Sequence, residues 1–268
     1  MAKLTKVQAK AHAESEELLK MDKLSDEEKD FVRANWQESA LHINSIAGAF
    51  FTPAGLARDT ILEVSPTGRV IDLCAGIGAL ASEVWDKAAW RDEKPEIVCV
   101  EINPEYVRVG KKLLPEATWI TGSIFTLPNI GHFDTAISNP PFGNIPRDGE
   151  KLRYTGSRFE FHVMDLASDM ADFGVFIVPQ QSAGFQYSGR QYYERMESRD
   201  YAKFSEQTGI VLEAGCGVDT SVHIKEWKGV SPVVEIVTTE FIELPRGAIV
   251  TELREPDALD FGDWKATA

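Results

Sequence analysis

Between residues 69 and 206 the chain alternates short apolar runs with longer amphipathic stretches, and that rhythm admits few folds. Runs rich in Val, Ile and Phe at Val70–Leu73, Ile97–Ile102, Thr118–Thr121, Phe133–Ser138 and Gly174–Val178 read as strands. Helical spacing fits near 78–90, 103–114, 159–172 and 191–206. Five strands in series with helices between most of them predict a parallel, doubly wound sheet covered by helices on both faces. Two further runs, Ile210–Ala214 and Val233–Thr239, bring the expected sheet to seven strands. A parallel strand needs a long crossover, and none separates these two runs, so the last strand is expected to run antiparallel.

At 268 residues, 43% hydrophobic and 26% charged, the chain has the composition of a soluble globular protein with a full core. No apolar run reaches the roughly 18 residues of a membrane helix. The N-terminus opens into a polar helical pattern without the apolar centre of a signal peptide. Cys74, Cys99 and Cys216 are odd in number and far apart, with no histidine at ligand spacing. That favours a reducing, cytoplasmic setting and argues against a structural metal. Residues 1–50 read as a helical extension, with a capping box at Ser25 to Glu28 ahead of Phe31, Val32 and Trp36. Residues 51–245 then form the catalytic domain, and 246–268 an acidic, solvated tail. The net charge of −14 obliges any nucleic-acid partner to be met by a local basic patch.

The first strand runs into Asp72-Leu73-Cys74-Ala75-Gly76-Ile77-Gly78. Glycines at a strand-to-helix turn let a ligand approach the backbone, with a helix N-terminus behind it. Gly76-x-Gly78-x-x-Ala81 satisfies the Rossmann dinucleotide fingerprint, and Glu101 ends the next strand where a ribose-binding carboxylate belongs. An NAD-dependent oxidoreductase is therefore one reading. Asp72, ahead of the glycines, instead suits a ligand bearing an amino group or a positive charge.

Asn139-Pro140-Pro141-Phe142 follows the fourth strand. Two prolines can neither continue the strand nor open a helix, which leaves a rigid turn at the carboxyl edge of the sheet. Such a turn offers the Asn139 amide oxygen and the Pro140 carbonyl as fixed acceptors beside the flat Phe142 ring. That set suits a planar ring carrying an exocyclic amine. Taken alone, the stretch also reads as an ordinary proline turn in which Asn139 caps backbone. The dinucleotide reading has no use for it.

Over residues 50–180 these motifs together resemble the class I S-adenosylmethionine-dependent methyltransferases that methylate amines, whose hallmark is (N/D/S)-P-P-(Y/F/W). Phe51-Thr52-Pro53 is similar to the F-T-P segment of adenine DNA methyltransferases. The resemblance implies S-adenosylmethionine as cofactor, held by Phe51, Thr52, Pro53, Asp72, Cys74, Ala75, Gly76, Gly78, Glu101, Ile102, Ser123, Ile124 and Asn139. It also implies catalysis by Asn139, Pro140, Pro141 and Phe142. One departure is Gly122-Ser123-Ile124-Phe125 after the third strand, where the family often places an acid against the cofactor's adenine.

Past the turn, Arg147, Lys151, Arg153 and Arg158 lie in a Gly-rich loop, and Gln181 and Tyr187 lie in a second loop after the fifth strand. Basic and aromatic residues interleaved suit phosphates and bases, and a solvated loop without a partner is the alternative. The substrate implied is a nucleic-acid base, with adenine N6 in DNA first. Ribosomal or transfer RNA is second, since no segment is large enough for a separate target-recognition domain. Phe142 in place of Tyr counts against protein-glutamine methylation. A scaffold that only activates a catalytic partner would be expected to have lost an acceptor in the turn, and this chain keeps both.

Overall fold

The computed structural model describes residues 5–37, 50–149, 151–228 and 231–242. The expected tail at 246–268 and part of the N-terminal extension, 38–49, lie outside them. The strands are β1 (Arg69–Leu73), β2 (Glu96–Glu101), β3 (Thr118–Thr121), β4 (Phe133–Ser138), β5 (Ala171–Pro179), β6 (Phe185–Gln186), β7 (Glu194–Arg195) and β8 (Val234–Glu240). The helices are α1 (Lys6–Leu18), α2 (Asp26–Asn35), α3 (Ala54–Thr60), α4 (Ala79–Ala89), α5 (Pro104–Leu113), α6 (Phe159–Met170) and α7 (Arg199–Thr208). Six strands form one sheet in the order β3-β2-β1-β4-β5-β8. The pairs from β3 to β5 are parallel, and β8 is antiparallel to β5. This is a Rossmann-like α/β fold with one antiparallel strand.

Alternation along the strands supplies both faces of the sheet. Ile71, Leu73, Val98, Val100, Ala136 and Phe176 pack with Phe161, Met164 and Phe204 from α6 and α7. Val70, Ile97, Cys99, Ile137 and Val175 pack on the other face with Leu56, Leu80, Val84 and Val107 from α3, α4 and α5. A sheet covered on both sides accounts for strands that read as nearly continuous apolar runs.

The expected seventh strand at Ile210–Ala214 contributes only one bridge, between Glu213 and Thr238 of β8. Two of its amides are taken by α7: Leu212 N donates to the Tyr201 hydroxyl at 3.1 Å and Ile210 N to Thr208 Oγ1 at 3.1 Å. Helix α7 starts at Arg199 rather than 191. Ser198 caps it by accepting from Tyr201 N, and the chain before it pairs Gln186 with Glu194 and Phe185 with Arg195. The sequence pattern also passed over α3, which follows directly on Pro53.

Both N-terminal helices open on capping boxes, Thr5 with Gln8 and Ser25 with Glu28. Leu19, Val32 and Trp36 pack on Tyr106, Val109 and Leu113 of α5. Arg108 of α5 pairs with Glu16 at 3.0 Å, and Glu16 also accepts from Trp36 Nε1 at 2.6 Å. The described part of the extension is thereby fastened beside Phe51, whose ring lies 5.7 Å from Trp36 and 5.0 Å from Tyr106. Among the described residues no helix is long and apolar enough to cross a membrane, and no three His, Cys, Asp or Glu are grouped to hold a metal ion.

Candidate active site

The turn after β1 takes a left-handed path. Cys74, Gly76 and Gly78 have φ of 64°, 58° and 87°. A Cβ on Gly78 would sit 3.0 Å from the Trp119 ring, and one on Gly76 would touch Phe51 at 3.4 Å. Cys74 holds such a φ without being glycine, a conformation that costs about 1 kcal/mol or more and recurs at ligand-binding turns. A pocket opens here, lined by Phe50, Phe51, Thr52, Asp72, Cys74, Ala75, Gly76, Ile77, Ala79, Leu80 and Asn139. Three separated segments thus meet at the carboxyl edge of the sheet, where open α/β sheets bind ligands.

Asp72 is fully buried on the α4 side of β1, and neither carboxylate oxygen has a hydrogen-bond partner. Burial pushes its carboxyl well above the usual range. The Ala81 N–H pulls the other way without closing a hydrogen bond, and Glu101 adds repulsion. An ionisable group left in this state is short of a positive or donating partner. Glu101 differs. Its oxygens accept from Gly76 N at 2.9 Å and Asn103 N at 2.8 Å, which ties β2 to the glycine turn. Burial raises its carboxyl too, and the N–H groups of Asn103, Gly76 and Ile102 hold it back. Ile102, just beyond, is 68% exposed.

Asn139 is oriented by two acceptors on the segment before α3. Its Nδ2 donates to the Phe50 carbonyl at 3.2 Å and to Thr52 Oγ1 at 2.9 Å. A carbonyl can only accept, so the NH2 must face Phe50, and Oδ1 points the other way, buried and without a partner. Ser138 donates to the Leu73 carbonyl and serves the β4–β1 junction. Pro140 is buried and Pro141 half-buried. Phe142 is half-buried against the cluster beneath α3 and α4, so one part of its ring is already in contact. Pro53 stands at the N-cap of α3, whose Asp59 binds His223 Nε2 at 2.7 Å.

The two loops beyond the turn are joined from below by Glu160, which is fully buried. It accepts from Gly143 N at 2.9 Å and from Ser182 Oγ at 2.8 Å. The loop cations divide into two groups. Arg153 is spent on a buried carboxylate network, at 2.7 Å from Asp165 and 3.0 Å from Asp169. Arg158 pairs with Asp200 at 2.7 Å. These two differ from the solvent-facing cations expected of a phosphate loop. Arg147 lies over the Phe125 ring at 5.4 Å, and Lys151 is exposed. Gln181 is exposed, whereas Tyr187 is half-buried and gives its N–H to Glu235. Ser123 and Ile124 open the turn after β3, and Ser123 Oγ donates to Asp148 Oδ1 at 2.6 Å.

Sequence reasoning missed Phe50, Ile77, Asp148 and Glu160. Phe50 acts through its carbonyl, which no residue pattern reveals. Glu160 did leave a signal, a lone acid inside the apolar stretch Phe159–Met164.

No protein-family model and no curated protein matches the sequence. Solved structures do resemble the fold. A Listeria monocytogenes protein assigned to the class I S-adenosylmethionine-dependent methyltransferases superposes with a TM-score of 0.58 at 13% identity, covering 96% of this chain and 84% of that one. A Vibrio vulnificus protein assigned as the modification subunit of a type I restriction enzyme gives 0.53 at 12% identity over 83% of this chain and 51% of its own. The type I restriction-modification methyltransferase subunit of Streptococcus thermophilus gives 0.51 at 9% identity, over 81% and 50%. With the glycine turn, the carboxylate-ended β2 and the antiparallel β8 in place, the chain has the fold of the class I S-adenosylmethionine-dependent methyltransferases.

Proposed function

We propose that this protein transfers a methyl group from S-adenosylmethionine to the exocyclic amine of a nucleic-acid base, with adenine N6 in DNA as the first candidate. The observation behind this reading is the Asn139 amide. Its NH2 is fixed by Phe50 and Thr52, and its oxygen is left buried and unpartnered at the mouth of the glycine turn. A hydrogen-bond acceptor kept in that state is poised for a donor that arrives with the substrate.

The residues fit the cofactor. Asp72 lacks the positive or donating partner that an amino-acid ammonium would supply, and Gly76 lines the same pocket without a side chain. Glu101 has lone pairs left for ribose hydroxyls after its two backbone bonds, since a carboxylate offers about four sites. When bound, the cofactor supplies an electrophilic methyl on a positively charged sulfur.

The chain's own work is to make an aromatic amine nucleophilic. Its lone pair is delocalised into the ring, so attack requires the nitrogen to pyramidalise. Asn139 Oδ1 and the Pro140 carbonyl, held by a proline turn, accept the two N–H groups and favour that geometry. Both are fixed before the reaction, which is the condition for electrostatic preorganisation to count. The free part of the Phe142 ring would stack on a base swung out of its helix. A dinucleotide oxidoreductase would be expected to continue its sheet in parallel, whereas here β8 is antiparallel.

The deciding experiment gives the purified protein S-adenosylmethionine with a labelled methyl, together with DNA in one series and structured RNA in another. Digestion to nucleosides and mass analysis then identify the product. Labelled N6-methyldeoxyadenosine supports the first reading, and a methylated ribonucleoside amine selects RNA. A label found only on carbon or oxygen would overturn the role given to Asn139, and one found only on protein would overturn the nucleic-acid substrate.

A further inference from the structure

We propose that Asp148, delivered by the loop that follows the Asn139 turn, is the acceptor for the amino group of the cofactor's adenine, so that one loop serves both cofactor and substrate. This rests on the cofactor reading above. Neighbouring strands lie about 4.8 Å apart. A nucleoside anchored at the glycine turn of β1 and held by Glu101 at the end of β2 therefore extends its base toward the end of β3. The ends of β2 and β3 are joined directly, since Gly122 N donates to the Glu101 carbonyl at 3.0 Å. The exposed Ile102 offers the base an apolar face on the way.

At the end of β3 the purine amine needs an acceptor. Ser123 is poorly suited alone, because its hydroxyl proton goes to Asp148 and its oxygen accepts from Phe125 N at 3.3 Å. Asp148 has one oxygen on Ser123 and a second that accepts no hydrogen bond among the described residues. It is placed there by more than that one bond. Arg147 lies over the Phe125 ring at 5.4 Å. Gly149 has φ of 77°, and a Cβ on it would run into the Phe125 carbonyl. Ile145 packs against the same core cluster as Phe125. The stretch from 145 to 149 is thus seated on the β3 turn. A carboxylate absent from the turn itself is brought to it from nine residues past Asn139. Whatever orders this loop on the substrate side then changes cofactor affinity as well, by linkage.

The test is calorimetric titration of the full chain with S-adenosylhomocysteine and with its deaminated analogue S-inosylhomocysteine, which replaces the amine by an oxo group. Thermal unfolding without ligand controls for folding, and Asp148 is exposed. The wild type is expected to prefer the adenosyl ligand about tenfold or more, the usual effect of one hydrogen bond to a charged group. Asp148→Asn should erase or reverse that preference. Ser123 then engages the amide oxygen and turns the NH2 toward the base, where it opposes an amine and donates to an oxo group. Ser123→Ala should reduce the preference in part. Equal weakening of both ligands, an unchanged preference in Asp148→Asn, or no preference in the wild type would overturn the proposal. A wild type that binds neither ligand would overturn the cofactor reading, and this proposal with it.

Discussion

Asn139 and Thr52 are joined across 87 residues of sequence by a 2.9 Å hydrogen bond from amide nitrogen to hydroxyl oxygen. Together with the Phe50 carbonyl, this bond decides which end of the Asn139 amide faces the pocket. Thr52 is therefore expected to act through Asn139. Thr52→Val keeps the shape and removes the acceptor, and should lower the single-turnover rate by on the order of tenfold, the value of one modest hydrogen bond. Thr52→Ser should restore most of it. A valine variant that loses cofactor affinity at an unchanged rate would instead assign Thr52 to the cofactor.

Asn139 itself should matter more. Asn139→Ala is expected to fold and to bind cofactor, yet to transfer methyl groups about a hundred- to a thousandfold more slowly, as when one preorganised polar group is lost. Asn139→Asp should be milder, because an acceptor oxygen remains. Rapid-quench assays with a substrate already shown to be methylated would measure both. Full activity in a stable alanine variant would remove the proposed chemistry.

The loop cations separate binding from stability. Asp165 is fully buried and depends on Arg153 Nε at 2.7 Å and Tyr154 N at 2.7 Å. Arg153→Ala strands that carboxylate, and should cost about 3–5 kcal/mol in urea unfolding. Lys151→Ala should leave unfolding unchanged and reduce the salt dependence of nucleic-acid binding by about one phosphate contact. An Arg153→Ala protein as stable as wild type would return Arg153 to the substrate surface.

That division marks how far the sequence could be read. The doubly wound sheet was legible because burial on two faces forces apolar runs such as Val70–Leu73 and Phe133–Ser138. The meeting of Gly76, Asp72 and Asn139 at one edge was legible because strand ends in such a sheet converge there. Partner choice was not. Nothing in the composition of the loop tells Arg153, held by Asp165, from Lys151, which is exposed. Ile210–Ala214 has the pattern of a strand, but a tyrosine hydroxyl and a threonine on α7 claim two of its amides.

His223 binds Asp59 of α3 through Nε2 at 2.7 Å and Glu226 through Nδ1 at 2.8 Å. Burial disfavours the charged ring, but the two carboxylates outweigh it, and the ring titrates above its ordinary value. A raised value in the fold means that this stabilisation is complete below the unfolded value of about 6.5. It is lost as pH rises through the folded one. The urea midpoint of the wild type should therefore fall between pH 6 and the mildly alkaline range. His223→Gln should start lower and show less of that fall. Parallel profiles in the two proteins would show that α3 is not fastened through this histidine.

Asp72 predicts opposite signs for folding and for binding. Its carboxyl is raised by burial, so its protonated form suits the unligated fold. The stability it gives is complete below about pH 3.9 and is lost as pH rises through the higher folded value. Asp72→Asn removes that penalty and should raise the melting temperature of the unligated protein near neutral pH. The same change removes the charge that a cationic ligand would meet, and should weaken S-adenosylmethionine binding by about 1–3 kcal/mol. In the wild type the arriving cation should draw the proton off Asp72. Binding heats measured in buffers of different ionisation enthalpy should then reveal proton release, and the asparagine variant should show none. A variant that melts higher but binds and releases protons as before would place the cofactor's charge away from Asp72.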